Sequence, residues 1–199
     1  MNPDASGKKA IFLDRDGVIV ADRDRALVDA DLEILPSAAT ALAVLAQAGW
    51  TLVVVTNQPV VARGLIDEAG LAALHRRLAE RLVDGGAPQL SHWYACPHHP
   101  EATLPAYRQD CACRKPRPGL LHQAAADLGL DLAASWMVGD RLSDVAAGLR
   151  AGCRTILVES GKHTEAPIRS ADPPRPQEQP QFRVRDLAEA ARILVGPLR

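Results

Sequence analysis

The chain has no long apolar run, no surplus of either charge, no internal repeat and few cysteines, and each shortage removes a class of function. Spanning a bilayer takes about 20 consecutive apolar residues, and no stretch qualifies. Near the start, Ile11-Phe12-Leu13 follows Lys8 and Lys9, but Asp14 stops the run at once. That is too short for the apolar region of a secretory signal. A formal net charge of -1 gives no whole-chain support for nucleic-acid binding. Four cysteines in 199 residues are too few for a disulfide framework. In the cytoplasmic setting that the missing signal implies, they read as metal-binding or reactive. What remains is 47% hydrophobic and 24% charged, in a length that suits one domain able to bury its own core. The expectation is a cytoplasmic, monomeric single domain over 1–199, without membrane or nucleic-acid partners.

Short apolar runs alternate with helical patterns. Lys9 to Leu13, Trp50 to Val55, His92 to Ala95, Trp136 to Val138 and Thr155 to Val158 read as strands, being short and apolar, and Trp50 to Val55, rich in β-branched residues, is the clearest of them. Between them lie helices. Ser37 is placed to cap Ala38 to Ala48, with Gly49 as its stop. Asp67 opens a helix to about Val83 with Leu71, Leu74, Leu78 and Leu82 on one face. Gly119 to Leu128 forms another, ended by Gly129, and Ser143 is placed to cap Val145 to Ala151. The segment at about 164–181 is rich in Pro, Gln and charge and reads as irregular. Phe182 to Val184 and Leu187 to Val195 close the chain as an edge strand and a helix. Alternating strands and helices predict an α/β fold of three layers, Rossmann-like, with a central, mainly parallel sheet. Ligands in such sheets bind beyond the carboxyl ends of the strands.

Those ends carry polar residues of a specific kind. The first strand delivers Asp14-Arg15-Asp16-Gly17. In extended chain, residues two apart point the same way, and two carboxylates that close repel unless a cation or a proton joins them. A hard divalent ion such as magnesium prefers such oxygens. The second strand leads into Thr56-Asn57-Gln58, whose hydroxyl and amide groups suit phosphate oxygens but also make an ordinary polar turn. Gly139-Asp140 follows Trp136-Met137-Val138 and brings a further carboxylate, while Asp144 fits the first turn of a helix and its dipole. Lys115 is a cation able to offset phosphoryl charge, and Arg114 beside it suits a second anionic group.

Cys96-Pro97-His98 and Cys111-Ala112-Cys113 form a C-x-H…C-x-C set. Three thiolates and an imidazole complete a tetrahedral zinc shell with no open position, as in structural sites. Spacing alone admits His98 or His99. Prolines at 97, 100 and 105 keep the intervening loop, at about 96–113, irregular. Such a loop has little core of its own, so a metal would stabilise it. Cys153, His75, His92, His122 and His163 have no matching partners nearby in sequence and read as core or surface residues.

The order Asp14-Arg15-Asp16-Gly17, Thr56, Lys115, Gly139-Asp140 resembles the four motifs of the haloacid dehalogenase-like (HAD) phosphatases, over Ile11 to about Val158. Thr56-Asn57-Gln58, Ala62-Arg63-Gly64, Cys96 to Pro100 and Cys111 to Pro116 are similar to the heptose bisphosphate phosphatase branch, with the histidinol-phosphate phosphatases as nearest rival. The resemblance implies magnesium held by Asp14, by the backbone carbonyl of Asp16 and by Asp140. It also implies Asp14 as nucleophile, Asp16 as general acid and base, and Thr56 and Lys115 as phosphoryl stabilisers. Asn57, Arg114 and Arg141 would bind a small phosphorylated sugar, and His98 would be the zinc ligand beside Cys96, Cys111 and Cys113. The reaction implied is removal of the 7-phosphate of D-glycero-D-manno-heptose 1,7-bisphosphate. The segment between Asp16 and the first helix and that between Gln58 and the next strand have no room for a large cap domain. The chain departs from that branch at Val18-Ile19-Val20, at Asp22-Arg23-Asp24-Arg25 and at Pro59-Val60-Val61, in segments that line the substrate. A zinc-stabilised binding protein is the alternative outside enzymes, though it has no need of Asp14, Asp16, Lys115 and Asp140 together.

Overall fold

Strand β1 (Ala10–Leu13) is buried along its whole length, and its side chains divide between two cores. Ile11 and Leu13 join one hydrophobic cluster, Ala10 and Phe12 the other. That division follows from the two-residue period of a strand and requires cover on both faces. The computed structural model describes residues 7–23, 32–164 and 172–196. Asp24, Arg25 and the first part of the irregular 164–181 segment lie outside them.

After β1 come α1 (Ala38–Gln47), β2 (Thr51–Asn57), α2 (Glu68–Asp84), β3 (Trp93–Cys96), α3 (Gly119–Leu128), β4 (Trp136–Gly139), α4 (Leu142–Ala151), β5 (Arg154–Val158), β6 (Phe182–Val184) and α5 (Leu187–Val195). The six strands run in the order β3-β2-β1-β4-β5-β6, and every neighbouring pair is parallel. Leu42 and Leu45 of α1, Leu74, Leu78 and Leu82 of α2 and Leu187 and Leu194 of α5 pack in the cluster with Ile11 and Leu13. Leu120, Leu121 and Ala124 of α3 and Ala147 of α4 pack with Phe12. The fold is the expected three-layer α/β architecture. Each buried leucine contributes about 2 kcal/mol. β1 and β4 sit side by side at mid-sheet, so Asp14 and Asp140 leave adjacent strand ends.

Two expected caps are replaced. Ser37 already has helical backbone angles (φ -92°, ψ -7°) and makes no side-chain cap, because the turn at Pro36 starts the coil one residue early. At α4 the capping position belongs to Arg141, and Asp144 rather than Ser143 serves it, accepting the Arg141 N–H at 2.9 Å. A carboxylate reaching back from the third helical position displaces the serine. Asp67 does cap α2, accepting the Gly70 N–H at 2.7 Å. Strand β2 runs through Thr56 and Asn57, which are the last strand residues rather than a turn. The loop after β3 contains one regular element, a 3-10 turn at Pro105–Tyr107. Between β2 and α2 there is only a short turn, so no large cap domain is inserted there.

Candidate active site

Parallel strands end with their side chains aimed over the sheet edge, and four charged groups meet there. The Lys115 ammonium lies 2.8 Å from Asp14 Oδ1 and 2.7 Å from Asp144 Oδ1, and donates to the Val55 carbonyl at 2.8 Å. The ammonium thus pairs with two carboxylates and hydrogen-bonds one carbonyl. Carboxylate oxygens of Asp14, Asp140 and Asp144 all lie within 4.8 Å of one another, and all three residues are buried. One ammonium among three carboxylates leaves an excess of negative charge. Burial, first, and the neighbouring carboxylates push Asp14 up to about 6 and Asp140 up to about 8. The same carboxylates hold Lys115 above its ordinary value despite its burial.

The donor set fits a hard divalent cation. Asp140 Oδ2 accepts the Lys162 N–H at 2.6 Å, but its buried Oδ1 has no hydrogen-bond partner among the described residues. A buried carboxylate oxygen left so is costly unless a cation completes it. Glycine makes room for this crowding. A Cβ on Gly17 (φ +79°) would stand 2.4 Å from Asp140 Oδ2, and one on Gly161 2.2 Å from the same atom.

Asp16 stands apart from the buried trio. Its carboxylate accepts from Arg15 Nη2 at 2.8 Å to each oxygen, from Arg15 Nε at 3.1 Å and from Gln58 Nε2 at 2.8 Å. Gln58 also donates to Thr56 Oγ1 at 2.9 Å. Asn57 exchanges two hydrogen bonds with the Lys115 backbone, at 3.0 and 3.1 Å, so it positions the lysine. Arg114 donates to the His98 carbonyl at 3.0 Å, and Arg141 Nη2 to Asp22 Oδ2 at 3.1 Å. A cavity of about 140 Å³ collects Asp14, Asp16, Asn57, Arg114, Lys115 and Arg141; Thr56 and Asp140 are not in its lining.

Sequence reading missed Asp144, whose helix-dipole explanation hid a direct ion pair with Lys115. It also missed Arg15 and Gln58, which hold Asp16, and Asp22, which meets both Arg141 and Lys162 Nζ (3.7 Å). Except for Arg15, next to Asp16 in the chain, each of these roles is set by a partner distant in sequence, for which the sequence carries no signal.

Beside this site, Cys96, His98, Cys111 and Cys113 converge. The sulfurs are 3.1 to 3.4 Å apart, and His98 Nδ1 is 3.5 Å from Cys113 and 3.8 Å from Cys96. Tetrahedral zinc with its usual bond lengths sets ligand edges of about 3.5–3.8 Å, near these separations. His99 turns elsewhere and accepts the Glu101 N–H at 3.0 Å, so of the two histidines it is His98 that groups with the cysteines. The hydrogen-bonded contact with Cys96, above all, pulls the Cys113 thiol down to about 5, while Cys96 itself is held up.

The D-glycero-beta-D-manno-heptose-1,7-bisphosphate 7-phosphatase of Pseudomonas aeruginosa is 39% identical over 189 residues, covering 94% of this chain and 98% of its own. The chain belongs to the haloacid dehalogenase-like phosphatases. The HAD-hydrolase-like family model matches residues 112–190, which include Lys115, Asp140 and Asp144. The enzyme of the same name from Escherichia coli K12 is 42% identical over 163 residues, covering 79% of this chain and 83% of its own. Among solved structures, the D,D-heptose 1,7-bisphosphate phosphatase from B. bronchiseptica complexed with magnesium and phosphate superposes with a TM-score of 0.77. It shares 36% identity and covers 94% of this chain and 98% of its own. This HAD chain is accordingly a phosphatase, and no described helix is long and apolar enough to cross a membrane.

Proposed function

We propose that this chain is a magnesium-dependent phosphomonoester hydrolase that works through an aspartyl-phosphate on Asp14 and removes the 7-phosphate of D-glycero-D-manno-heptose 1,7-bisphosphate. The observation that carries the reading is the Lys115 ammonium shared between buried Asp14 and Asp144, with an unpartnered Asp140 oxygen beside them. The names of the Pseudomonas and Escherichia relatives support the substrate.

Asp14 and Asp140 side chains and the Asp16 backbone carbonyl would hold magnesium. The ion would supply positive charge to the phosphoryl oxygens. Asp14 attacks phosphorus, and the bond to the sugar oxygen breaks as Asp16 gives that oxygen a proton. Water then attacks the aspartyl-phosphate. Asp16 takes the proton, and phosphate leaves with Asp14 restored. Thr56 and Lys115 stabilise the equatorial oxygens, and Asp144 keeps Lys115 aimed. Arg114 and Arg141 grip the phosphate that is not cleaved. Cys96, His98, Cys111 and Cys113 would hold zinc, which would fix the loop that carries Arg114 and Lys115. A single domain over 1–199 does all of this.

The raised carboxyls give a pH signature. Between the ordinary value of 3.8 and about 8, folded Asp140 retains a proton that the unfolded chain has lost. The Asp140 contribution to stability is therefore lost as pH rises through that window, and Asp14 acts in the same sense up to about 6, while His75 and Cys113, both held low, act in the opposite sense. Magnesium requires the ionised carboxylates, so its stabilising effect grows toward pH 8. Thermal unfolding at pH 5 and pH 8, with chelator and with magnesium, measures this. A magnesium-induced rise in midpoint that is no larger at pH 8 than at pH 5 contradicts the carboxylate reading.

Phosphate release across a panel tests the function: both anomers of the heptose bisphosphate, histidinol phosphate and simple phosphomonoesters, each with magnesium. Highest kcat/KM on a heptose bisphosphate, with loss of the 7-phosphate, is the expected result. Preference for histidinol phosphate overturns the substrate, and no turnover at all returns the chain to a zinc-stabilised binding protein.

A further inference from the structure

Helix α2 buries one apolar stripe, Leu71, Leu74, Leu78 and Leu82, and His75 stands within it, only 6% exposed. A polar ring on a buried face needs a reason that packing does not provide, since phenylalanine or leucine would fill the same space without a polar atom. The reason lies at its Nε2, 3.2 Å from Arg15 Nη1. The Arg15 side chain is 3% exposed, and its remaining donors, Nε and Nη2, hold the Asp16 carboxylate.

We propose that His75 is a positioning residue for the Asp16 carboxyl group, acting through the Arg15 guanidinium. This rests on the reading of Asp16 as general acid and base. A guanidinium donor can be accepted by Nε2 only if that nitrogen carries no proton, which places the ring hydrogen on Nδ1. Burial, and then the Arg15 charge, hold the imidazole down to about 3, so it stays a neutral acceptor. Neutrality matters. A carboxylate at this place would compete with Asp16 for Arg15, whereas an uncharged acceptor satisfies Nη1 and leaves the cation to Asp16. The ring plane is fixed by stacking on Trp93, with centroids 4.8 Å apart and planes 22° from parallel. Trp93 is anchored in turn, its Nε1 donating to the Leu90 carbonyl at 2.8 Å. Gln58 holds Asp16 from a second direction, at 2.8 Å. The carboxyl group that must meet the leaving oxygen is therefore aimed from behind by a row of stacked and hydrogen-bonded side chains reaching to edge strand β3.

His75→Phe keeps the stack and removes the acceptor, while His75→Gln keeps an acceptor and removes the stack. With magnesium and a heptose bisphosphate, H75F is expected to lose about tenfold or more in kcat, with KM within about twofold, a fraction of the whole general-acid contribution. On p-nitrophenyl phosphate, whose leaving group needs little protonation, the loss should be under about threefold, and H75Q should recover most of the sugar-phosphate rate. Wild-type kcat for H75F, equal losses on both substrates, or H75Q as slow as H75F each overturn the proposal. Should H75F not fold, His75→Asn, one methylene too short to reach Arg15, replaces it; equal rates for H75N and H75Q then count against the idea. Asp16→Asn separates the two levels. If D16N is as active as wild type, the reading of Asp16 itself fails. If D16N is inactive and H75F is not impaired, only the role of His75 fails.

Discussion

Asp14→Asn should leave less than about a thousandth of the wild-type kcat on every phosphate monoester, because an amide oxygen is too weak a nucleophile to form the acyl phosphate. The substitution is isosteric, and its structural cost is small. Lys115 retains Asp144 Oδ1 at 2.7 Å and the Val55 carbonyl at 2.8 Å, and the new amide oxygen can face the ammonium where Oδ1 did. Burial already works against the Asp14 charge, raising it to about 6, and the neutral amide removes that penalty. The metal-free variant should therefore unfold no earlier than wild type. Single-turnover phosphate release and thermal unfolding in chelator check the two halves. Wild-type turnover by D14N refutes the nucleophile; inactivity with a collapsed midpoint makes the loss structural.

The pairing of lost activity with retained stability separates a reactive carboxylate from one that holds the fold. Asp144 behaves oppositely. It accepts the Arg141 N–H at the start of α4 as well as pairing with Lys115, so its removal disturbs a helix terminus and an ion pair together.

Much of the fold was legible because its signals are local. The β-branched run at Val53-Val54-Val55, the leucine stripe of α2 and the left-handed Gly129 (φ +65°) after α3 each act over a few residues. The strand ends were legible for the same reason. Illegible were the features set by packing between distant segments. Ser37 looks like a cap until the turn before it proves helical. Asp144 looks like a dipole partner until Lys115 arrives from 29 positions earlier. His75 looks like a misplaced core residue until Arg15 is seen 60 positions away in sequence. Asp14 and Asp16 share a motif, yet only Asp14 joins the buried acidic trio, because Arg15 and Gln58 draw the second carboxylate aside.

Cys113→Ser should separate substrate binding from the rest of the fold. Cys113 contacts both Cys96 (3.3 Å) and Cys111 (3.1 Å), so its loss opens the tetrahedron at a shared corner. Zinc should fall from about one per chain to a small fraction, since a serine hydroxyl is a poor substitute for a thiolate. The loop has little to replace the metal: Cys111 and Cys113 pack only at the margin of one core cluster, and the loop's regular structure is a single 3-10 turn. Arg114 follows Cys113 directly, and its donation to the His98 carbonyl ties it to the same cluster. Lys115 is more firmly held, by Asn57 on its backbone and by Asp14 and Asp144 on its ammonium. Arg114 should therefore be displaced first, raising KM for a bisphosphate about tenfold or more while kcat falls less. A monophosphate, with no second phosphate for Arg114 to hold, should be bound nearly as well as by wild type. Far-ultraviolet dichroism should be unchanged, because α1 to α5 lie outside the loop. Metal analysis, steady-state kinetics on both substrates and dichroism give the three readings, and an equal rise in KM for monophosphate and bisphosphate removes Arg114 from the binding of the second phosphate.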